Sequence, residues 1–448
     1  MKLDRVVRHS GARIDHTPVL IVLFWLAWLV LGAFGAAGQQ NQTNDPPQSQ
    51  QPAANPDSPE GKRSGVGFRL GGAGMNGDPG SLDIDTGGMP GKSPESDEQQ
   101  GKPYKRVEFV GAPVPVISPT IGNGLAGVGG IAIHLDPNDR KSPASVFGGG
   151  MLFTSNGTRA FGAVTQLFLK EDRFRVLGVY VDGRINYDYF GIGHDSGEAG
   201  HFIPLTLNAF GLLFEPKMRI GGRWYVGPRY RLLRSDVALD MERFEEEFPG
   251  VPANPDQPII PPRDVSVRSG ALGMRLQRDT RDSQFYPLRG SLFDTKIDFA
   301  DPAFASQRSY ENLNFSYQAY HSLGPKTVLA YRGAVCSASG DVPFYNLCMF
   351  GQSKDIRGYA VGRYQDRRMI VGQAELRREL FWKVGAVGYF GAGEVAPEFS
   401  KLSMSNILPG GGVGLRLTLA PQNHINFRVD YAWGKDSTGL YVGISESF

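Results

Sequence analysis

The chain has 448 residues, a formal charge of +2, and 59 glycines, with 41% hydrophobic and 11% aromatic residues. So balanced a charge gives no electrostatic footprint for nucleic acid, and a mean hydropathy of −0.26 excludes membrane helices beyond a single segment. It leaves room for a membrane β-barrel, in which only alternate residues face lipid, and the glycine and aromatic content favours that architecture over a helical one.

Residues 1–38 open with Lys2, Arg5, Arg8 and Arg13 and continue as PVLIVLFWLAWLVLGAFGAAG. The small residues Gly35, Ala36, Ala37 and Gly38 ahead of a polar tract fit a secretory signal peptide, cleaved after Ala37 or Gly38. The apolar run also nearly reaches the length of an uncleaved membrane anchor. Residues 39–104 are Gln, Asn, Pro, Ser, Asp and Gly with hardly an apolar side chain. They cannot bury enough surface to offset the entropy of ordering, so they are expected to be a disordered polar linker.

Residues 105–448 form the third unit, where alternation of apolar and polar residues starts near Arg106 and continues to the end. Residues 125–135, 145–155, 161–169 and 174–189 read as strands. Arg223, Tyr225, Gly227, Arg229 and Arg231 then oppose Trp224, Val226, Pro228, Tyr230 and Leu232. Residues 239–265 contain EEEFPGVPANPDQPIIPP, too rich in proline for regular structure, and are expected to be a long loop. After a strand at 266–280 comes a charged turn, RDTRDSQFYPLRG. Phe293, Thr295, Ile297 and Phe299 then oppose Asp294, Lys296 and Asp298. Strands follow at 313–319, 327–336, 369–380, 385–395, 412–419, 425–433 and 440–448.

About fifteen strands are discernible, each of roughly nine to twelve residues, the length a tilted strand needs to cross a bilayer. Charges such as Asp294, Lys296, Asp298, Arg416, Arg428 and Asp430 on the polar faces suit a water-filled or plugged lumen and would be ruinous in a sandwich core. The fold class is therefore all-β: a transmembrane antiparallel β-barrel, with apolar sides in contact with outer-membrane lipid. Single-chain bacterial barrels use even strand numbers, so about 16 strands are expected, with one unrecognised between Phe202 and Asp264.

The stretch GQSKDIRGYAVGRYQD, residues 351–366, is odd as a solvent loop. Ile356, Tyr359, Val361 and Tyr364 need burial, and Arg357 and Arg363 need partners. A cavity has to receive it. Cys336 and Cys348, twelve apart, either close a disulfide in an oxidising compartment or stay as two free buried thiols.

DIRGYAVGRYQD resembles the Arg-Gly-Phe/Tyr loop of the bacterial surface antigen barrels, the superfamily of outer-membrane assembly factors and two-partner secretion transporters of the BamA, TamA and FhaC types. RDTRDSQFYPLRG resembles that family's periplasmic turn, QAELRREL the strand after the loop, and GVGLRL with NFRVDYAW the closing strands. The resemblance covers residues 271–448 well and the first half loosely. It implies an in-folded lumen loop locked through Arg357, Gly358 and Tyr359, with Glu375 as wall partner. An Asp that the family often places on the next strand is replaced by Gly391, which leaves Glu375 alone or recruits Asp430. It also implies that Phe448, ending an amphipathic strand, is the signal read by the barrel assembly machinery. Family members carry periplasmic docking domains, which residues 39–104 do not provide, so the chain resembles the truncated branch.

Two other patterns carry less. Gly122, Gly124 and Gly127 fit GxGxxG, but no strand–turn–helix unit surrounds them, and glycines of the first barrel strand account for them. His194 and His201 in GHDSGEAGH match no zinc spacing and read as a polar loop. No catalytic motif, metal site or cofactor site is expected. The functional expectation is assembly, insertion or translocation in the bacterial outer membrane, with unfolded client polypeptides as partners; the alternatives are a passive channel or a surface-binding barrel.

Overall fold

The computed structural model describes residues 107–448, except 119, 137, 140, 250–261, 284–285, 353 and 421–424. The signal segment and the polar linker expected at residues 1–104 lie outside the described residues. Sixteen strands close an antiparallel barrel in which each strand pairs with its neighbour in sequence and β18 returns to β1. They are β1 (Val107–Ser118), β2 (Gly122–Ile133), β3 (Ser145–Thr154), β4 (Arg159–Leu169), β5 (Phe174–Tyr189), β6 (Ile203–Gly221), β7 (Trp224–Leu239) and β8 (Ser266–Asp279). The second half comprises β9 (Gly290–Ala300), β10 (Tyr310–Gly324), β11 (Thr327–Gly340), β14 (Arg368–Phe381), β15 (Val384–Ala396), β16 (Leu408–Ala420), β17 (Ile425–Trp433) and β18 (Thr438–Ile444). Two short strands, β12 (Cys348–Met349) and β13 (Gln365–Asp366), pair with each other inside the loop that joins β11 to β14.

The period-two pattern divides the side chains cleanly. Along β14, Met369, Val371, Gln373, Glu375 and Arg377 are buried inside, while Ile370, Ala374 and Leu376 are exposed outside. The outer face carries Phe161, Phe214, Phe390, Val413 and Leu415, each left open by its own chain. Such a surface is stable only in hydrocarbon, and closing the sheet removes the edges that would otherwise pair with other chains. Short connections, such as Lys170–Arg173 and Gly222–Arg223, lie at one end of the barrel and the long loops at the other, so the long-loop end is extracellular.

Three expectations need correction, while the further strand expected between Phe202 and Asp264 is present as β6. Leu205, Leu207 and Leu213 of its inner face are buried in the core that fills this side of the barrel, so both faces are apolar and the alternation vanishes. Residues 239–265 are not devoid of regular structure: helix α2 spans Met241–Glu247, buries Phe244 and stacks it on Phe248 at 5.0 Å, and a single helical turn spans Pro262–Val265. Likewise the polar loop at GHDSGEAGH contains helix α1, His194–Ala199. Gly122, Gly124 and Gly127 belong to the second strand, because the proline-bearing segment VEFVGAPVPVIS is itself β1.

The last strand also differs, ending at Ile444 rather than Phe448. Ser445 takes a φ of +66°, turning the chain inward, and Phe448 is buried against Tyr320, Val328 and Ala330. Strands β5 to β8, at 16, 19, 16 and 14 residues, exceed the expected length because they continue beyond the apolar band toward the long loops.

Pairing is uneven around the barrel. β1 pairs with β2 from Val107–Ile133 through Ser118–Gly122, whereas β1 meets β18 in register at Ile117–Val442. Pro113 and Pro115 withhold two backbone donors from β1, and proline within a sheet belongs on an edge strand. The barrel is closed at a seam made by its shortest membrane strand and a strand with edge chemistry.

A charge introduced on the outer face tests the membrane assignment. Leu415→Arg is expected to cost about 2–4 kcal/mol in folding stability, measured by urea titration in lipid vesicles, if Leu415 lies near the bilayer midplane.

Candidate functional site: a loop held in the barrel by a ring of charge

Residues 341–367 leave β11 and fold into the barrel. The β12–β13 pair forms a stem in which Cys348 opposes Asp366 and Met349 opposes Gln365. Cys348 is disulfide-bonded to Cys336 of β11, with their Cα atoms 5.7 Å apart, and so fastens the stem to the wall. Inside the stem, Phe350, Tyr359 and Tyr364 pack edge to face, Phe350–Tyr359 at 5.1 Å and Tyr359–Tyr364 at 5.7 Å. All three rings are buried, which explains why a loop with so many aromatic residues is not a solvent tip.

The descent of the loop depends on glycines at its contacts. Gly358 has φ +111°, and a Cβ there would lie 2.5 Å from the Trp433 carbonyl carbon. Its N–H donates to Tyr441 Oη at 2.9 Å, and its carbonyl accepts from Ser437 Oγ at 2.5 Å. Tyr359 Oη donates to the Pro409 carbonyl at 2.5 Å and accepts the Lys435 N–H at 2.9 Å. On the wall, Cβ atoms at Gly391 and Gly410 would each come within 2.4 Å of Ile356. Gly391, the position at which a second acidic partner is missing, is instead the seat of Ile356.

Arg357 lies at the bottom of this descent, fully buried. Its guanidinium pairs with Glu375 of β14 and, at 2.5 Å, with Asp430 of β17, and lies 3.5 Å from the Tyr389 ring centroid. The structure thus brings Arg357, Gly358, Tyr359, Glu375 and Asp430 into one place.

The contacts then continue into a closed circuit. Glu375 also binds Arg377 at 2.9 Å, Arg377 reaches Glu446 at 3.8 Å, Glu446 takes Arg416 Nε at 2.8 Å, and Arg416 returns to Asp430 at 2.5 Å. Three arginines alternate with three carboxylates, joining the loop, β14, β16, β17 and the turn after β18. Arg428 adds a contact to Asp430 at 3.4 Å, Asn426 donates to Glu446 at 3.0 Å, and Arg377 donates to the Phe448 carbonyl at 3.0 Å. Phe448 is therefore seated inside the barrel, 5.2 Å from the Arg377 guanidinium, rather than on the outer end of β18.

Sequence reasoning missed Arg377, Arg416 and Glu446 as members of this circuit. Arg416 was visible as an inward charge on β16. Glu446 was not, since continuing the alternation of β18 puts it with Leu440 and Val442 on the lipid face, and only the turn at Ser445 carries it inside. A second buried network occupies β6 to β9, where Arg275 bridges Glu215 at 2.8 Å and Asp294 at 2.7 Å, and Arg229 binds Asp298 at 3.0 Å. Among the described residues no group of His, Cys, Asp and Glu could hold a metal ion.

Above the barrel the loop meets the other extracellular segments. Val361 N–H donates to Thr120 Oγ1 at 3.0 Å in the β1–β2 turn, and Arg363 donates to the Gly197 carbonyl of α1 at 3.1 Å. Glu198 of α1 accepts Tyr364 Oη at 2.9 Å and Lys435 Nζ at 2.6 Å. His194 Nε2 is 3.8 Å from the same carboxylate.

With that geometry established, similarity to known proteins becomes informative. Residues 268–448, which include the loop and all six members of the ring, match the model of the Omp85 superfamily domain. Over 206 residues, 45% of the chain, it is 27% identical to the outer membrane protein assembly factor BamA of Nitratidesulfovibrio vulgaris, and the match spans 24% of that relative. The fold resembles that of Haemophilus ducreyi BamA lacking POTRA domains 1-3, with a TM-score of 0.50 at 13% identity, covering 77% of this chain and 70% of that one. It also resembles CdiB from Escherichia coli, with a TM-score of 0.55 at 11% identity, over 76% and 63% of the two chains. The protein is a sixteen-stranded β-barrel integral to the bacterial outer membrane, similar in residues 268–448 to the Omp85 superfamily domain.

The loop and its ring generate two predictions. Arg357→Ala leaves Glu375 and Asp430 buried without their cation, and breaking a buried pair costs about 3–5 kcal/mol. The barrel is expected to insert, with its heat-dependent gel mobility shift moved to lower temperature. Arg357→Lys, which keeps the charge but loses the fork, is expected to fall between. Glu446→Gln is expected to lower the same transition, and an unchanged value would show that the ring does not act as a unit.

The second concerns pH. Lys435 and then the Tyr364 hydroxyl hold the Glu198 carboxyl below its ordinary 4.5. A depressed carboxylate contributes fully above its unfolded value and loses that contribution as pH falls through the folded one. Hydrogen-exchange protection of α1 and residues 359–365 is therefore expected to be full above 4.5 and to fall as pH drops below it, and Lys435→Met to remove the step.

Proposed function

We propose that this barrel assembles or inserts polypeptides at the outer membrane, with its β1–β18 seam as the site where a client strand engages. The observation that carries the reading is the contrast between a plugged interior and an under-paired seam. The loop and the two ion networks fill the barrel, so a route straight through it is costly. At the seam, β1 offers an edge with two prolines beside the seven-residue β18. An exposed strand edge is a template for another strand, and main-chain pairing there supplies affinity without demanding a particular sequence. The ring holds β14, β16, β17 and the turn after β18 to the loop, so the wall next to the seam stays rigid while the seam opens. Similarity to a protein named as an assembly factor supports the same reading.

The test closes the seam. Ile117→Cys and Val442→Cys face each other across the seam, and the native pair is removed by Cys336→Ser and Cys348→Ser. In vesicles, the oxidised variant is expected to fold an added β-barrel client no faster than protein-free lipid, and reduction to restore the rate. Equal rates before and after reduction would reject the seam as the working surface.

A further inference from the structure

The outer face of β4 to β8 changes character at its extracellular end. Arg159 of β4, Arg184 of β5, Arg234 of β7 and Arg268 of β8 all point outward and are exposed. The register sets Arg159 directly opposite Arg184 and Arg234 directly opposite Arg268. Like charges facing each other across a strand pair destabilise a sheet. Here two such pairs flank β6, whose Asn208 lies beside Arg184 and whose Phe210 lies beside Arg234.

No protein carboxylate relieves them. None of the four arginines has an acidic side chain within ion-pair distance among the described residues, although Asp182 and Asp236 share the face. Asp182 is buried in a row between Phe161 and Phe210, and its Oδ2 has no hydrogen-bond partner. The guanidiniums are only loosely committed. Arg184 makes 3.4 Å contacts to Asn186 and Thr206, Arg234 lies 5.3 Å from the Phe210 ring centroid, and Arg268 donates to the Ala305 carbonyl at 2.9 Å.

Below this row the same faces are apolar, with Phe161, Tyr180, Phe214, Leu272 and Met274 exposed. The arginines therefore sit where the acyl band ends on the long-loop side, at the head-group level of the outer leaflet. Strands are spaced about 4.8 Å and residues along a strand about 3.4 Å, so Arg184 and Arg234, two strands and two residues apart, stand about 12 Å apart at their Cα atoms, within reach of one multiply charged head group.

We propose that this belt binds the phosphate groups of an outer-leaflet lipid, whose acyl chains lie on the apolar rows beneath. Phosphate oxygens accept paired guanidinium N–H groups and turn each repulsive arginine pair into a chelating one. The proposal is independent of the seam and of the loop.

The experiment titrates the full chain in uncharged detergent and follows lipid retention by native mass spectrometry. The probes are bis-phosphorylated lipid A, the same glycolipid stripped of phosphate, and inorganic phosphate. Lipid A is expected to bind about tenfold or more tighter than either control, and less tightly as salt rises. Arg159→Gln, Arg184→Gln and Arg234→Gln combined should lower lipid A binding about tenfold or more, with heat-dependent mobility unchanged. Undiminished binding by that variant, or equal binding of the phosphate-free lipid, overturns the site. Inorganic phosphate binding as tightly as lipid A would make it a free-anion site and overturn the lipid assignment. Should the triple variant fail to fold, Arg159→Gln and Arg234→Gln are measured singly, and wild-type binding in both overturns the proposal.

Discussion

A guanidinium without water must have carboxylates around it, and Arg357 is buried as deeply as a side chain can be. Much of the barrel's interior follows from that requirement. Glu375 and Asp430 answer it, and each then needs a second cation because it too is buried. Arg377 and Arg416 supply those cations, and Glu446 closes the sequence between them. Removing any member strands its neighbours, so the charges stand or fall together. A hydrophobic plug of the same volume could be as stable, but it would not fix one depth and one orientation for the loop as the two directed contacts of Arg357 do.

The loop so fixed acts as a floor for much of the extracellular side. The β1–β2 turn rests on it through Thr120, α1 through Gly197 and Glu198, the β15–β16 connection through Pro409, and the β17–β18 connection through Gly434, Lys435 and Ser437. Strands at both sides of the seam are thus connected above the membrane by way of one loop, while within the membrane they meet in register at Ile117 and Val442. The links above the membrane and the pairing within it are therefore carried by different parts of the chain.

How far the sequence discloses this depends on what each face touches. Where one side of a strand meets lipid and the other a charged lumen, as in β14 and β17, alternation is plain and even the inward carboxylates can be named. Where the lumen is packed with aliphatic side chains, as along β6, the alternation is erased by the environment rather than by any irregularity of the strand. The burial of Ile356, Tyr359, Val361 and Tyr364 could be anticipated from composition, since such residues have no reason to coat a solvent loop. Glu446 could not, because one positive φ at Ser445 inverts the parity on which strand reading depends. The short helices α1 and α2 escaped because each is too brief to display a period.

The bond between Cys336 and Cys348 limits what the loop can do once released. It joins the root of the in-folded segment to β11, so residues 350–364 are leashed even when Arg357 leaves its carboxylates. With the base of the segment held against the wall, any release of Arg357 would leave it on a short tether, and reducing the bond would lengthen that tether.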